Sequence, residues 1–201
     1  MSHYYDFDPS IASKERKIEF DIFDKKITLL SDNGVFSKNK VDEGSLIFLK
    51  SIIPLGLTGE ILDLGAGYGT IGLSLALFNQ TARITLAEIN TRALALCQKN
   101  AKLLGVSERV TCLHSDIYSN IEGPYNSIAI NPPIRAGKNV TFEMYRGAKE
   151  RLIDGGHLYI VIRKDQGAES ASKYIKELFG NITLLQRKKG YLVFDAVKSK
   201  D

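Results

Sequence analysis

Histidine and cysteine are scarce in this chain of 201 residues, which holds three of the first and two of the second. His3, His114 and His157 stand far apart with no motif that links them to a nucleophile, so a hydrolase triad has no support. Cys97 and Cys112 fall inside a predicted helix and a predicted strand and lack metal-ligand spacing, which gives a zinc site or a disulfide framework little support. No apolar run is long enough to cross a bilayer, and the opening Met1-Ser2-His3-Tyr4-Tyr5-Asp6-Phe7-Asp8 has neither the basic start nor the apolar stretch of a secretory signal. A soluble cytoplasmic protein without a membrane partner is therefore expected. Internal repeats and low-complexity linkers are also missing.

What is present suits one α/β domain, with 44% hydrophobic and 25% charged residues. We expect a single domain over 1–201, made of an N-terminal hairpin extension (1–41) and a core (42–201). The net charge of +4 is mild, yet Arg135, Lys138, Arg146, Arg163, Lys164 and Arg187-Lys188-Lys189 gather near a proline motif and towards the carboxyl end. Such a distribution permits a polyanionic partner and is equally compatible with a solvated surface.

From Glu60 onward, short β-branched runs alternate with helical patterns. Strands are predicted at 60–64, 83–88, 110–113, 127–130, 157–163, 182–185 and 191–197, and helices at 71–78, 92–104, 142–153 and 168–179. This is the rhythm of a parallel sheet covered on both faces. Only Arg187-Lys188-Lys189-Gly190 separates the last two strands, which should pair as an antiparallel hairpin. Before the core, 17–23 and 26–30 alternate around Asp24-Lys25 and predict a second hairpin. A helix over 42–53 follows, stopped by Pro54.

Asp63-Leu64-Gly65-Ala66-Gly67-Tyr68-Gly69 lies between a predicted strand and helix, where glycines let backbone approach a ligand and the helix start offers free N–H groups. A nucleotide-like cofactor is expected there, with Asp63, Gly65, Ala66 and Gly67 as candidates. Gly67 to Gly72 also matches G-x-G-x-x-G, which taken alone is a weak sign of a dinucleotide enzyme. Glu88, followed by Ile89, ends the next strand at the position where an acidic residue accepts hydrogen bonds from ribose hydroxyls. Asp116 and Ile117 follow the third strand. The plainer alternatives are a structural turn, a surface carboxylate and a helix cap. Their occurrence in this order favours the cofactor site.

Asn131-Pro132-Pro133 ends an apolar run in a segment that cannot become helix, and it presents an amide oxygen and a stiff carbonyl. Asn131 Oδ1 and the Pro132 carbonyl are placed to accept the hydrogens of a planar amino group. The plainer alternative is a rigid turn at a strand end. Gly137-Lys138 is no phosphate-binding loop, because Pro132 stands where its first glycine would fall and Asn139 replaces Ser or Thr.

The strand order with a final antiparallel hairpin, the D-x-G-x-G signature of Asp63 to Gly67, Asp116 and Asn131-Pro132-Pro133 together resemble class I S-adenosylmethionine-dependent methyltransferases. The resemblance implies a Rossmann-like, seven-stranded, mostly parallel sheet with helices on both faces, plus the N-terminal hairpin. It also implies S-adenosylmethionine as cofactor, with its adenine recognised by Asp116 and Ile117. Asn131 to Lys138, together with Gly34-Val35-Phe36-Ser37 and Asp42-Glu43-Gly44-Ser45, is similar to the small-subunit ribosomal RNA guanine-N2 methyltransferases, and closest to short single-domain bacterial members. That implies catalytic Asn131, Pro132 and Pro133, with Asn131 also among the cofactor-binding residues, a ribosomal RNA or small-subunit assembly intermediate as partner, and Phe36, Ile134, Arg135 and Lys138 at the substrate.

One departure is Ile134, where larger members carry an aromatic residue, followed by Arg135 instead of His. Ile134 offers an apolar face and Arg135 a stacking or phosphate-binding group. Phe36 is a candidate for the missing aromatic surface, the alternative being a core residue that anchors the hairpin. Three other readings stay open. These are methylation of adenine N6 or a protein glutamine, a noncatalytic S-adenosylmethionine or RNA-binding assembly module, and a nicotinamide oxidoreductase.

Overall fold

A computed structural model of the protein describes residues 11–200, so His3 and the residues on which the expected absence of a secretory signal rests lie outside the described residues. Two strands, β1 (Arg16–Ile22) and β2 (Lys25–Ser31), form an antiparallel hairpin with Ile18 opposite Leu29 and Phe20 opposite Ile27. Its turn is Phe23-Asp24, one residue earlier than the expected Asp24-Lys25, and Phe23 adopts the left-handed φ of 52° that such tight turns demand. Helix α1 (Glu43–Ile52) follows, and Pro54 falls in a short 3-10 turn that Gly56 ends in a left-handed conformation.

The core strands are β3 (Glu60–Leu64), β4 (Arg83–Glu88), β5 (Val110–His114), β6 (Tyr125–Ile130), β7 (Leu152–Arg163), β8 (Thr183–Lys188) and β9 (Tyr191–Val197). They form a seven-stranded sheet in the order β5-β4-β3-β6-β7-β9-β8, with antiparallel pairing only for β7 with β9 and β9 with β8. Helices α2 (Thr70–Phe78), α3 (Thr91–Leu103), α4 (Lys138–Arg151) and α5 (Ala168–Phe179) complete the α/β units. The side chains of α1, α2 and α3 share one apolar cluster with the hairpin's Ile18, Phe20, Ile22, Ile27 and Leu29, while those of α4 and α5 fill a second cluster on the opposite face. No helix among the described residues is long and apolar enough to cross a membrane.

Several boundaries differ from the sequence reading, two of them by four residues or more. Helix α4 starts at Lys138, four residues ahead of the expected Phe142, because Gly137 at φ 93° turns the chain directly out of a 3-10 turn at Ile134–Ala136. Strand β7 begins at Leu152 and includes Ile153, which periodicity assigned to the preceding helix, because Leu152 pairs with Tyr125 ahead of a register shift. The last hairpin also turns tighter than expected, with β8 running through Lys188 and only Lys189-Gly190 at the bend.

The topology positions the site. From central β3 the chain steps outward through β4 to β5, then returns to the other side of β3 as β6, and ligands of open α/β sheets bind in the crevice at the carboxyl ends of such a switch point. Leu64 pairs with Ile130, so the glycine loop and Asn131-Pro132-Pro133 leave the sheet side by side.

Helix α2 can lie close to β3 and β4 because Gly72 faces them. A Cβ there would collide with Leu86 Cδ2 and come to 3.0 Å from Ile84 Cγ2 and 3.1 Å from Asp63 Cβ. The fully buried Asp63 fixes the same turn by accepting the Gly72 N–H at Oδ2, at 2.7 Å, while its Oδ1 is buried without a partner. Desolvation, opposed by the Gly72 bond, pushes the Asp63 carboxyl up to about 7 from 3.8.

Gly72→Ala should therefore destabilise the fold by about 1–3 kcal/mol through overpacking, read as a lower urea midpoint at unchanged m-value. Because the folded state holds the Asp63 proton more tightly than the unfolded chain does, the contribution of Asp63 is most favourable below pH 3.8 and is lost as pH rises through about 7. Asp63→Asn, which keeps an acceptor for Gly72, should gain stability relative to wild type between pH 5 and pH 8 by on the order of 2–4 kcal/mol, measured by denaturant unfolding without ligand.

Candidate active site

The glycine loop hangs from the sheet edge by paired bonds, Gly65 N–H and Ala66 N–H both donating to Ala87 O at 2.9 and 3.0 Å. Its glycines divide by task. A Cβ on Gly67 (φ 57°) would meet nothing within 4 Å, and one on Gly65 (φ 77°) would meet only Met144 Cε at 3.9 Å. Those two positions leave room for a ligand to approach the backbone. Gly69 differs, because a Cβ there would reach Leu73 Cδ1 at 2.6 Å, so its glycine serves the start of α2.

Glu88 is buried at the end of β4 and grips the loop from the far side. Its Oε2 accepts the Gly67 N–H at 2.7 Å and its Oε1 the Asn90 N–H at 2.8 Å. Burial raises its pKa, and the backbone bonds from Asn90, Gly67 and Ile89 and the nearby His114 oppose that rise. Ile89 is half-buried, with its carbonyl 2.8 Å from His114 Nε2. Asp116 is exposed, and its N–H donates to Ser119 Oγ at 3.1 Å. Ile117 sits at φ 49°, a conformation that a β-branched residue rarely adopts and that costs about 1–3 kcal/mol. The turn over-determines it, since Ser115 Oγ donates to Ile117 O at 3.0 Å and Ser119 N–H to Asp116 O at 2.9 Å. Glu88 thus ends β4 with Ile89 after it, and Asp116 and Ile117 follow β5, at the carboxyl-end side of the sheet from which the glycine loop leaves β3. The orphaned Asp63 Oδ1 and the open space over Gly67 fit a cofactor that carries donors and lies against backbone.

Asn131 lies beside this loop at the end of β6, half-buried, with Pro132 buried behind it. Its Nδ2 donates to Asp42 Oδ2 at 3.2 Å and to Ser45 Oγ at 3.0 Å. Among the described residues, no donor is bonded to Asn131 Oδ1 or to the Pro132 carbonyl, whereas the Pro133 carbonyl accepts Ala136 N–H at 2.9 Å. Two acceptors therefore stand at the end of β6 beside the glycine loop.

Phe36 is 68% exposed and so is no core anchor. Its loop is tied on both sides to residues of the cofactor region, Asn90 Nδ2 donating to Gly34 O at 3.1 Å and Tyr68 Oη to Ser37 O at 3.3 Å. Ile134 is half-buried against the α4–α5 core, Arg135 is exposed, and Lys138 Nζ lies 4.8 Å over the Phe142 ring. Lys164 N–H donates to Gly190 O at 2.8 Å, Lys189 pairs with Glu43, and Tyr191 packs on Gly44. These contacts place the basic last turn at the same edge as Asn131. Sequence reasoning gave no individual role to Asp42, Ser45, Asn90 or Met144. Asp42 and Ser45 were visible as part of a motif, while Met144 gave no local signal.

The methyltransferase small domain model matches residues 26–195. The uncharacterized protein YbxB of Bacillus subtilis (strain 168) is 41% identical over 98% of both chains. Ribosomal RNA small subunit methyltransferase C of Erwinia tasmaniensis is 31% identical over 87% of this chain and 51% of its own length. The Thermus thermophilus 16S rRNA N2 G1207 methyltransferase, solved with AdoMet and guanosine, superposes with a TM-score of 0.82 at 28% identity, over 94% of this chain and 52% of that one. This chain thus spans about half the length of those two ribosomal RNA methyltransferases. With the family model covering the sheet, the glycine loop and Asn131-Pro132-Pro133, the chain belongs to the methyltransferase small domain family.

Proposed function

We propose that this protein transfers a methyl group from S-adenosylmethionine to the exocyclic N2 of a guanine in small-subunit ribosomal RNA. The observation that carries the reading is Asn131, whose Nδ2 is taken up by Asp42 and Ser45 and whose Oδ1, with the Pro132 carbonyl, leaves β6 next to the strand from which the glycine loop emerges. S-adenosylmethionine supplies an electrophilic methyl on a sulfonium. Gly65, Ala66 and Gly67 would hold its amino-acid end near Asp63, Glu88 and Ile89 its ribose, and Asp116 and Ile117 its adenine.

An exocyclic amine on a purine is a poor nucleophile, because its lone pair is delocalised into the ring. Asn131 Oδ1 and the Pro132 carbonyl accept its two hydrogens, favour a pyramidal nitrogen and stabilise the positive charge that develops on it as the methyl–sulfur bond breaks and S-adenosylhomocysteine leaves. The methylated nitrogen then releases one proton to solvent. Holding that nitrogen in line with the methyl is the larger part of the catalysis. Phe36, fixed between Gly34 and Ser37, offers the base an aromatic face, and Ile134 an apolar one. Arg135, Lys138, Lys164, Arg187 and Lys188 would hold backbone phosphates without reading sequence. A guanine inside a helix must be extruded or met before the RNA folds. Guanine in RNA is favoured over a protein glutamine by this basic edge, and adenine N6 is the nearest rival in chemistry.

Labelled methyl transfer to naked RNA, isolated small subunits and intact ribosomes from cells lacking the gene, followed by nucleoside analysis, should yield N2-methylguanosine in one fraction. N6-methyladenosine would move the assignment to adenine. No label in RNA together with label in a release-factor peptide would move it to glutamine. Asn131→Ala should keep cofactor affinity, measured by calorimetry, and lose about 10²–10³ in turnover. Arg187→Ala combined with Lys188→Ala should raise KM for RNA with kcat unchanged. The same pair should flatten the salt dependence of binding by roughly 0.7 in log–log slope for each single-strand phosphate that is no longer neutralised.

A further inference from the structure

We propose that Asp42 is a positioning residue that dictates which way the Asn131 amide points, with Ser45 as its second. The inference rests on the reading of Asn131 as the acceptor for the substrate amine. The two ends of an asparagine amide are nearly the same size, so shape alone would let Asn131 present either an acceptor or an NH2 to the crevice. An NH2 turned towards an amine would repel it. Asp42 Oδ2 sits 3.2 Å from Asn131 Nδ2 and already accepts the Ser45 N–H, so this oxygen acts as an acceptor and only the NH2 end of the amide can face it. Ser45 closes the second half of the clamp. Its hydroxyl points to Asp42 Oδ2 at 3.4 Å and leaves Oγ to accept from Asn131 Nδ2 at 3.0 Å. Oδ1 is thereby directed away from Asp42.

The clamp is rooted in a helix start. Asp42 is the residue that caps α1, and the oxygen that receives Asn131 also accepts the Ser45 N–H at 2.9 Å. One carboxylate oxygen thus joins the first turn of α1 to the end of β6 across 89 residues of sequence. The turn cannot drift, because Tyr191 of β9 packs against Gly44 so closely that a Cβ there would lie 2.6 Å from its Cε1, and Lys189 pairs with Glu43 on the outer side.

The test uses the full chain, S-adenosylmethionine at saturation and the RNA fraction that accepts methyl. In Asp42→Ser the cap survives, since Ser caps as well as Asp, but its shorter side chain cannot serve both α1 and Asn131. We expect kcat to fall by about tenfold to hundredfold, with KM for RNA and cofactor affinity within about twofold of wild type. Asp42→Asn can place its Oδ1 where Oδ2 stood and accept both bonds, so it should recover most of the turnover that Asp42→Ser loses. Wild-type kcat in Asp42→Ser would overturn the proposal. So would an Asp42→Asn enzyme as slow as Asp42→Ser, because the negative charge and not the orientation would then matter. If Asp42→Ser fails to fold by thermal melting, Ser45→Ala gives the same reading with the cap intact: a severalfold lower kcat supports the clamp and an unchanged one refutes it. Asn131→Ala run alongside separates the layers. Full activity there removes the role of Asn131 itself, whereas an inactive Asn131→Ala beside a fully active Asp42→Ser removes only that of Asp42.

Discussion

The glycine loop keeps its shape because two desolvated carboxylates hold it from opposite sides, Asp63 through Gly72 N–H and Glu88 through Gly67 N–H. Taking such groups out of water costs several kcal/mol each, and the backbone bonds recover only part of it, so both carboxyls are pushed upward in pKa. A fold selected for stability alone would place apolar side chains there. The arrangement makes sense when a ligand brings the missing donors, and the orphaned Asp63 Oδ1 is where that deficit is greatest. Loop, helix α2 and sheet edge are fixed together by these two side chains, and the rest of the crevice is assembled around them.

The N-terminal hairpin is built into this crevice. Asn100, wholly buried in α3, donates to Leu30 O and to Tyr68 O at 2.9 Å each and accepts Leu30 N–H at 2.7 Å, so one side chain ties β2 to the glycine loop. Arg92 adds bonds to Asn33 O and Ile11 O at 2.7 Å each. The loop that carries Phe36 is therefore positioned by the same helix, α3, that holds the glycine loop at Tyr68.

Local sequence patterns account for much of this architecture. Strands β3 and β4 and helix α5 have the boundaries that periodicity predicts, because each is bounded by turn residues that agree with its period. The start of α4 was illegible, since it depends on a left-handed Gly137 instead of a capping side chain, and the start of β7 was hidden by Asp154-Gly155-Gly156, which reads as a loop until Tyr125 is seen opposite Leu152. At the site, the residues contributed by consecutive segments, Asp63 to Gly69 and Asn131 to Pro133, stood out by composition. Contacts that close over long separations did not. Asp42 with Asn131, Met144 beside Gly65 and Asn100 with Tyr68 are consequences of strand order, which no local window contains.

Strand β8 closes the sheet with five of its six residues exposed and only Leu185 half-buried. An edge of that kind offers unpaired backbone to any passing strand, and Leu184 would make such pairing stickier. Arg187 and Lys188 counter this, because a second copy laid against them would bring like charges together. The cations proposed to meet RNA phosphates therefore also guard the sheet against growth into fibres.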